Sequence, residues 1–141
     1  MAEMTLTDLS EAMSDIDYAM LSTRASDGVI TARPMSNNGD VEYDGDSFFF
    51  TTEDTGMVGD IERDAQVGLT YTGSKGLLGK PPIFIAINGK AELIRDKAEF
   101  EAHWVEDLER WFEEGTDTPG LGLIKVHADV AHYLYLIRIS E

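Results

Sequence analysis

A chain of 141 residues, 43% hydrophobic and 27% charged, has the composition of a globular protein, and residues 1–141 are expected to form a single domain whose core needs no metal or disulfide staple. Its 11 basic and 27 acidic residues leave a formal charge of −16, which argues against nucleic acid or an anionic membrane surface as a partner. The absence of cysteine excludes disulfides, thiolate nucleophiles and Cys-ligated metal centres. Met1-Ala2-Glu3-Met4 lacks the basic start and apolar run of a secretory signal, and no stretch approaches the ~20 apolar residues of a membrane span, so a cytoplasmic location is expected.

In chain order, Thr7 is a fair N-cap for a short helix over about 8–15, with Leu9, Ala12, Met13 and Ile16 at helical spacing. Residues 18–24 read as a strand, Asp27-Gly28 as a hairpin turn and 29–36 as the returning strand. Asn37-Asn38-Gly39 and Asp44-Gly45 mark a loop. Residues 47–52, with three consecutive phenylalanines, form the next strand, and Asp54 or Thr55 caps a second helix running to about residue 64. Over 67–72, Val67, Leu69 and Tyr71 alternate with Gly68, Thr70 and Thr72, as in a half-buried strand. Residues 83–94 give the clearest strand, and Gly89 in its middle points to a bulge or a close backbone approach. A third helix over about 97–113 places Phe100, Trp104, Leu108 and Trp111 on one stripe, so both tryptophans read as core or subunit-interface anchors. The last two strands fall at 123–126 and 132–139. Strands outnumber helices and the first pair is a tight hairpin. The expected fold is mainly β with peripheral helices (α+β), an antiparallel sheet closed into a barrel.

Some features imitate chemistry. Gly73-Ser74-Lys75-Gly76-Leu77-Leu78-Gly79-Lys80 resembles a P-loop, but Pro81 stands where Ser or Thr must hold magnesium and no helix follows. His127 and His132, five apart, fall on opposite faces of a regular strand, so no metal site is expected from them and Asp129. No Gly-x-Ser-x-Gly elbow is present. Residues 67–91 contain no Asp or Glu but hold Lys75, Lys80 and Lys90, the one basic island, to which a small anion such as a phosphate ester would be drawn.

Two segments carry more. In Thr31-Ala32-Arg33-Pro34-Met35-Ser36, alternation points Thr31, Arg33 and Met35 the same way, and Pro34 implies an edge, an end or a bulge. Arg33 is therefore expected at a strand end, beside backbone groups open to a ligand. In Phe48-Phe49-Phe50-Thr51-Thr52-Glu53-Asp54-Thr55-Gly56-Met57 an aromatic strand runs through hydroxyl residues into a helix start, whose free amides and dipole suit a phosphate. Phe50 offers an apolar wall, and Thr51, Thr52 and Thr55 offer donors, an arrangement that suits an aromatic cofactor with a phosphate tail.

With Leu21-Ser22-Thr23-Arg24, Val67-Gly68-Leu69-Thr70-Tyr71 and Ile87-Asn88-Gly89-Lys90-Ala91-Glu92, these segments make nearly the whole chain resemble the pyridoxamine 5′-phosphate oxidase-like superfamily. Within it the sequence is most similar to the short bacterial general stress proteins that bind FMN. The resemblance implies a six-stranded antiparallel split β-barrel, a homodimer with one flavin at each end of the subunit interface, and flavin redox chemistry on an unspecified substrate. It places Arg33, Pro34, Met35 and Ser36 along the flavin, Phe50, Thr51 and Thr52 beside the ring and its tail, and Thr55 and Gly56 at the phosphate. The sequence departs from the family where a Lys commonly contacts the phosphate, since Met57 stands there, and Gly56 replaces an Arg of the pyridoxamine-phosphate oxidases. Helix amides, Thr55 and Lys75 of the basic island are the expected substitutes. No basic C-terminal segment holds a substrate phosphate, so pyridoxamine-phosphate oxidation itself is not expected. The alternatives are a protein that holds flavin, deazaflavin or haem without turnover, and a dimer that has lost its cofactor.

Overall fold

Alternation of buried and exposed side chains builds most of this protein. A computed structural model describes residues 5–37, 43–73 and 83–135. Six strands, β1 (Tyr18–Arg24), β2 (Ile30–Ser36), β3 (Asp46–Thr52), β4 (Gln66–Thr72), β5 (Ile83–Ile94) and β6 (Leu121–Tyr135), form one antiparallel sheet in the order β2-β1-β4-β5-β6-β3. Three helices, α1 (Leu6–Ser14), α2 (Gly56–Arg63) and α3 (Lys97–His103), lie around it. The architecture is a six-stranded split β-barrel. The sheet does not close, contrary to the expected closed barrel, because β2 and β3 remain its two edges. Pro34 sits on one of them, where a residue without an amide proton is tolerated.

Inward residues at period two, among them Leu21, Leu69, Tyr71, Ile85, Ile87 and Ile124, make the main core. Leu9 and Met13 of α1 and Met57 and Ile61 of α2 join it. A smaller cluster, Phe100, Leu121 and Leu123 with Phe48, Phe50 and Trp104 against it, fills the space between α3 and the outer side of β3 and β6. Asn37 donates through Nδ2 to the carbonyls of Met13 and Ile16, at 2.9 and 2.7 Å, and so ties the end of β2 to the end of α1.

Three elements differ from the sequence expectation. Helix α1 begins earlier, because Thr5 rather than Thr7 is the N-cap: its hydroxyl accepts from Asp8 N–H while Asp8 accepts from Thr5 N–H, a capping box. Helix α3 stops at His103; the rest of the expected helix holds one 3-10 turn, Glu106–Arg110, and a second, Gly115–Asp117, follows beyond it. Trp104 turns into extended backbone to reach the smaller core, and the acidic run Glu106, Asp107, Glu109, Glu113 and Glu114 would repel itself on a continued helix. The two last strands are one, β6, which continues through the stretch read as a break; residues 136–139 of the last expected strand lie outside the described residues. The stretch read as a break is a bulge: Asn88 pairs with Val130 and Gly89 with Ala128, leaving Asp129 as the extra residue. The extra residue resets the alternation, so His127 and His132, opposite Lys90 and Ala86, are both exposed on the same side of the sheet rather than on opposite faces.

Gly89 has no room for a side chain. A Cβ there would lie 2.3 Å from the carbonyl oxygen of His127, a backbone atom that cannot swing away. Gly89→Ala is expected to destabilise the fold by about 1–3 kcal/mol. Urea unfolding measures this, and an unchanged midpoint would contradict the close approach.

Candidate functional site

The two sheet edges that never pair line one cavity of about 570 Å³, within the range of small-molecule sites, roughly 300–1,000 Å³. Strand β2 contributes Arg33, Pro34, Met35 and Ser36. Strand β3 contributes Phe49, Phe50, Thr51 and Thr52, so both faces of this edge strand meet the cavity. The start of α2 adds Thr55, Gly56 and Met57. Ten of the eleven residues singled out in the sequence thus surround one space. The eleventh, Lys75, lies outside the described residues, as do Lys80 and the rest of 74–82.

Arg33 lies in the middle of β2, opposite Leu21, and not at the strand end expected from Pro34. Strand β2 stays regular through Pro34 because its other side is an edge. The guanidinium is fixed at two nitrogens, Nη1 donating to Thr23 Oγ1 at 2.7 Å and Nη2 to Thr31 Oγ1 at 3.1 Å. The Thr23 hydroxyl in turn donates to Asp60 Oδ2 at 3.1 Å, and Arg63 donates to Asp60 Oδ1 at 2.8 Å.

At the start of α2, Thr55 is the N-cap by backbone geometry, yet its side chain makes no capping hydrogen bond. Its hydroxyl oxygen is buried and is the only such side-chain N or O without a partner among the described residues. The first amides of a helix have no partner within it, and its N-terminus carries positive partial charge. Orphan hydroxyl and helix start therefore meet at one wall of the cavity. Thr52 is committed elsewhere, its hydroxyl donating to Asp54 at 2.5 Å.

The two departures from basic phosphate ligands have different structural meanings. Met57 is 4% exposed and belongs to the main core, so its position serves packing as well as the cavity wall. Gly56 is exposed, and a Cβ there would meet nothing within 4 Å.

Phe50 is braced from behind by Trp104, with ring centroids 5.0 Å apart, and by Phe100 at 6.0 Å, both edge to face. Sequence reasoning missed Tyr18, Phe49, Leu108, Trp111 and Phe112, which complete the lining. For Leu108, Trp111 and Phe112 the signal was apolar side chains set among the carboxylates of 106–114. Of the two tryptophans, Trp104 is a core anchor, whereas Trp111 is 57% exposed at the cavity with Arg110 5.8 Å from its ring centre. The described lining residues include one cation, Arg33, and no carboxylate, in a chain with 27 acidic residues. A second, more polar cavity of about 580 Å³ adjoins the first, sharing Tyr18, Ser36, Phe50 and Leu108 with it.

The family model described as pyridoxamine 5′-phosphate oxidase like matches residues 5–135. The chain is similar to a Clostridium acetobutylicum protein related to general stress protein 26 of Bacillus subtilis, with a TM-score of 0.77 at 19% identity over 92% of this chain and 87% of that one. It is similar to General Stress Protein 26 of Bacillus anthracis, with a TM-score of 0.67 at 22% identity, covering 91% of this chain and 98% of that one. Both likenesses are of fold. The general stress FMN/FAD binding protein of Xanthomonas citri is 26% identical, with a TM-score of 0.74 over 96% of this chain and 95% of that one. No curated protein matches the chain.

The ligand-free stability of two variants checks this site. Thr55→Val removes an oxygen that bonds to nothing, so it should leave stability within about 1 kcal/mol of wild type or raise it. Met57→Lys buries an ammonium in the core and should cost at least ~2 kcal/mol. Urea unfolding of both decides, and a larger loss at Thr55 than at Met57 would invert the assignment.

Proposed function

This chain belongs to the pyridoxamine 5′-phosphate oxidase-like family, and we propose that it binds FMN in the cavity between β2 and β3 and acts as a flavin-dependent oxidoreductase of the general stress type. The observation that carries this is the Thr55 hydroxyl, buried and unpartnered beside the first turn of α2. A phosphate there would receive the hydroxyl and the helix amides together. An apolar wall of Phe50, Met35 and Trp111 suits a flat ring, and the absence of carboxylates from the described lining suits an anionic ligand. The description of the Xanthomonas citri protein as FMN/FAD binding supports the same ligand.

When bound, the flavin supplies the electron-transfer chemistry. The protein's share is binding, orientation and exclusion of water. Thr55, Gly56 and the amide of Met57 would hold the phosphate; Phe50, Thr51 and Thr52 would flank the ring and its tail; Arg33, Pro34, Met35 and Ser36 would line the opposite edge. Arg33 places a fixed positive charge there, which favours anionic forms of whatever it faces. Lys75 would add a further cation toward the phosphate.

The working unit is a homodimer. Cross-strand register aligns two outward rows over five strands, Pro34, Met20, Thr70, Ala86 and His132, and Ala32, Ser22, Gly68, Asn88 and Val130. None of the ten is acidic, and eight are exposed. So broad a neutral face on a chain of charge −16 fits a subunit interface. The proposal extends to one domain over 1–141 acting in the cytoplasm without nucleic acid or membrane. No helix among the described residues is long and apolar enough to cross a membrane.

Gly56 and Met57 favour a competing reading, a scaffold that holds flavin, deazaflavin or haem without turnover or has lost its cofactor, because neither supplies a charged phosphate ligand. FMN titration of variants separates the two. Thr55→Val should weaken FMN binding about 10-fold or more, since a hydrogen bond to a charged group contributes roughly 1.5–3 kcal/mol. Gly56→Arg, placed in open space, should tighten it about 10-fold. Insensitivity to both changes would remove the phosphate from α2. For the dimer, Ala86→Glu sets like charges into the neutral face and should yield monomers by light scattering; an unchanged mass would place the interface elsewhere.

A further inference from the structure

Thr23 and Asp60 are buried polar residues, 2% and 9% exposed, that do not line the cavity yet are wired to Arg33, the one cation of its described lining. Asp60 is already compensated by Arg63 at 2.8 Å, so charge balance alone does not require the contact with Thr23. What that contact sets is direction. An ionised carboxylate only accepts, so the one proton of the Thr23 hydroxyl goes to Asp60. The oxygen's lone pairs are thereby left for Arg33 Nη1, at 2.7 Å. The Thr31 hydroxyl fixes Nη2. Of the five N–H groups of a guanidinium, these two bonds use two and leave three, held in a defined orientation at the cavity wall.

We propose that Asp60 and Thr23 are positioning residues for Arg33, forming a relay that runs from helix α2 through β1 to β2 and presents the guanidinium to the ligand. The relay also joins the two halves of the site, because Asp60 is one turn along the helix whose start carries Thr55 and Gly56. A ligand held at the start of α2 is thus registered against Arg33 on β2 through side chains, although β2 and β3 share no hydrogen bonds as neighbours in the sheet. The consequence for binding rests on the FMN reading above; the relay itself does not.

The test therefore has two readouts. The first is the 15N NMR signature of the Arg33 guanidinium in the ligand-free protein, where restrained rotation separates its Nη resonances. Thr23→Val, which keeps shape and net charge, should collapse that separation, Thr23→Ser should preserve it, and Asp60→Asn should diminish it. The second is FMN affinity, expected to fall 10-fold or more in Thr23→Val and to stay within about twofold in Thr23→Ser, given the strength of a hydrogen bond to a charged group. An unchanged Arg33 signature in Thr23→Val, or equal damage from Val and Ser, would overturn the relay. Wild-type protein that takes up no FMN but shows the expected Arg33 signatures would overturn the cofactor reading and keep the relay. If Asp60→Asn does not fold, the Val and Ser pair still decides.

Discussion

Six strands stop one pairing short of a closed barrel, and everything proposed for this protein depends on that missing ladder. Were β2 and β3 paired, their backbones would sit about 5 Å apart, leaving no space between them. Left as edges, they hold a cavity of about 570 Å³ and expose to it both faces of a phenylalanine-threonine strand. An unpaired edge is ordinarily a liability. Here Pro34 sits on one edge, while the start of α2 and the segment after α3 lie over the cavity. The side-chain path Arg33–Thr23–Asp60 supplies across the core a connection between β2 and α2 that hydrogen bonding between the edges does not.

Charge placement is the second organising fact. Acidic residues are about a fifth of the chain, yet they are absent from the described cavity lining and from two neighbouring five-residue rows of the outer sheet face. Excess negative charge elsewhere keeps a protein soluble and discourages indiscriminate contacts. The two places kept free of it are the ones where an anionic ligand and a second copy of the chain are proposed to sit. The Lys90 ion pair with Asp129 and the His127 contact with the half-buried Asp46, at 3.5 and 2.6 Å, lie outside that neutral patch.

Much of this was legible in the sequence because strands advertise themselves by alternation. Strand β1 and strand β5 fall where period two places them, and the unusual residues Arg33, Pro34, Phe50 and Thr55 gather around one space because they lie on the two edge strands and at the helix start that follows one of them. What was not legible depends on tertiary partners. Helical spacing of Phe100, Trp104, Leu108 and Trp111 suggests one long helix, but repulsion among neighbouring carboxylates and the pull of Trp104 into the smaller core break it after His103. That break brings Leu108, Trp111 and Phe112 to the cavity. The parity of His127 and His132 hinges on a single bulged residue, Asp129, which strict alternation cannot foresee. The Thr23–Asp60 contact joins residues 37 apart in the chain and leaves no local trace in either segment.

The central claim is that a split barrel lacking the usual basic phosphate ligands still seats FMN, through a buried hydroxyl and a helix start. The most direct measurement is the visible absorption spectrum of the purified protein after incubation with FMN and desalting. The account predicts a retained flavin spectrum, perturbed from that of free FMN by the apolar wall and by Arg33. A colourless protein that keeps no FMN would contradict it.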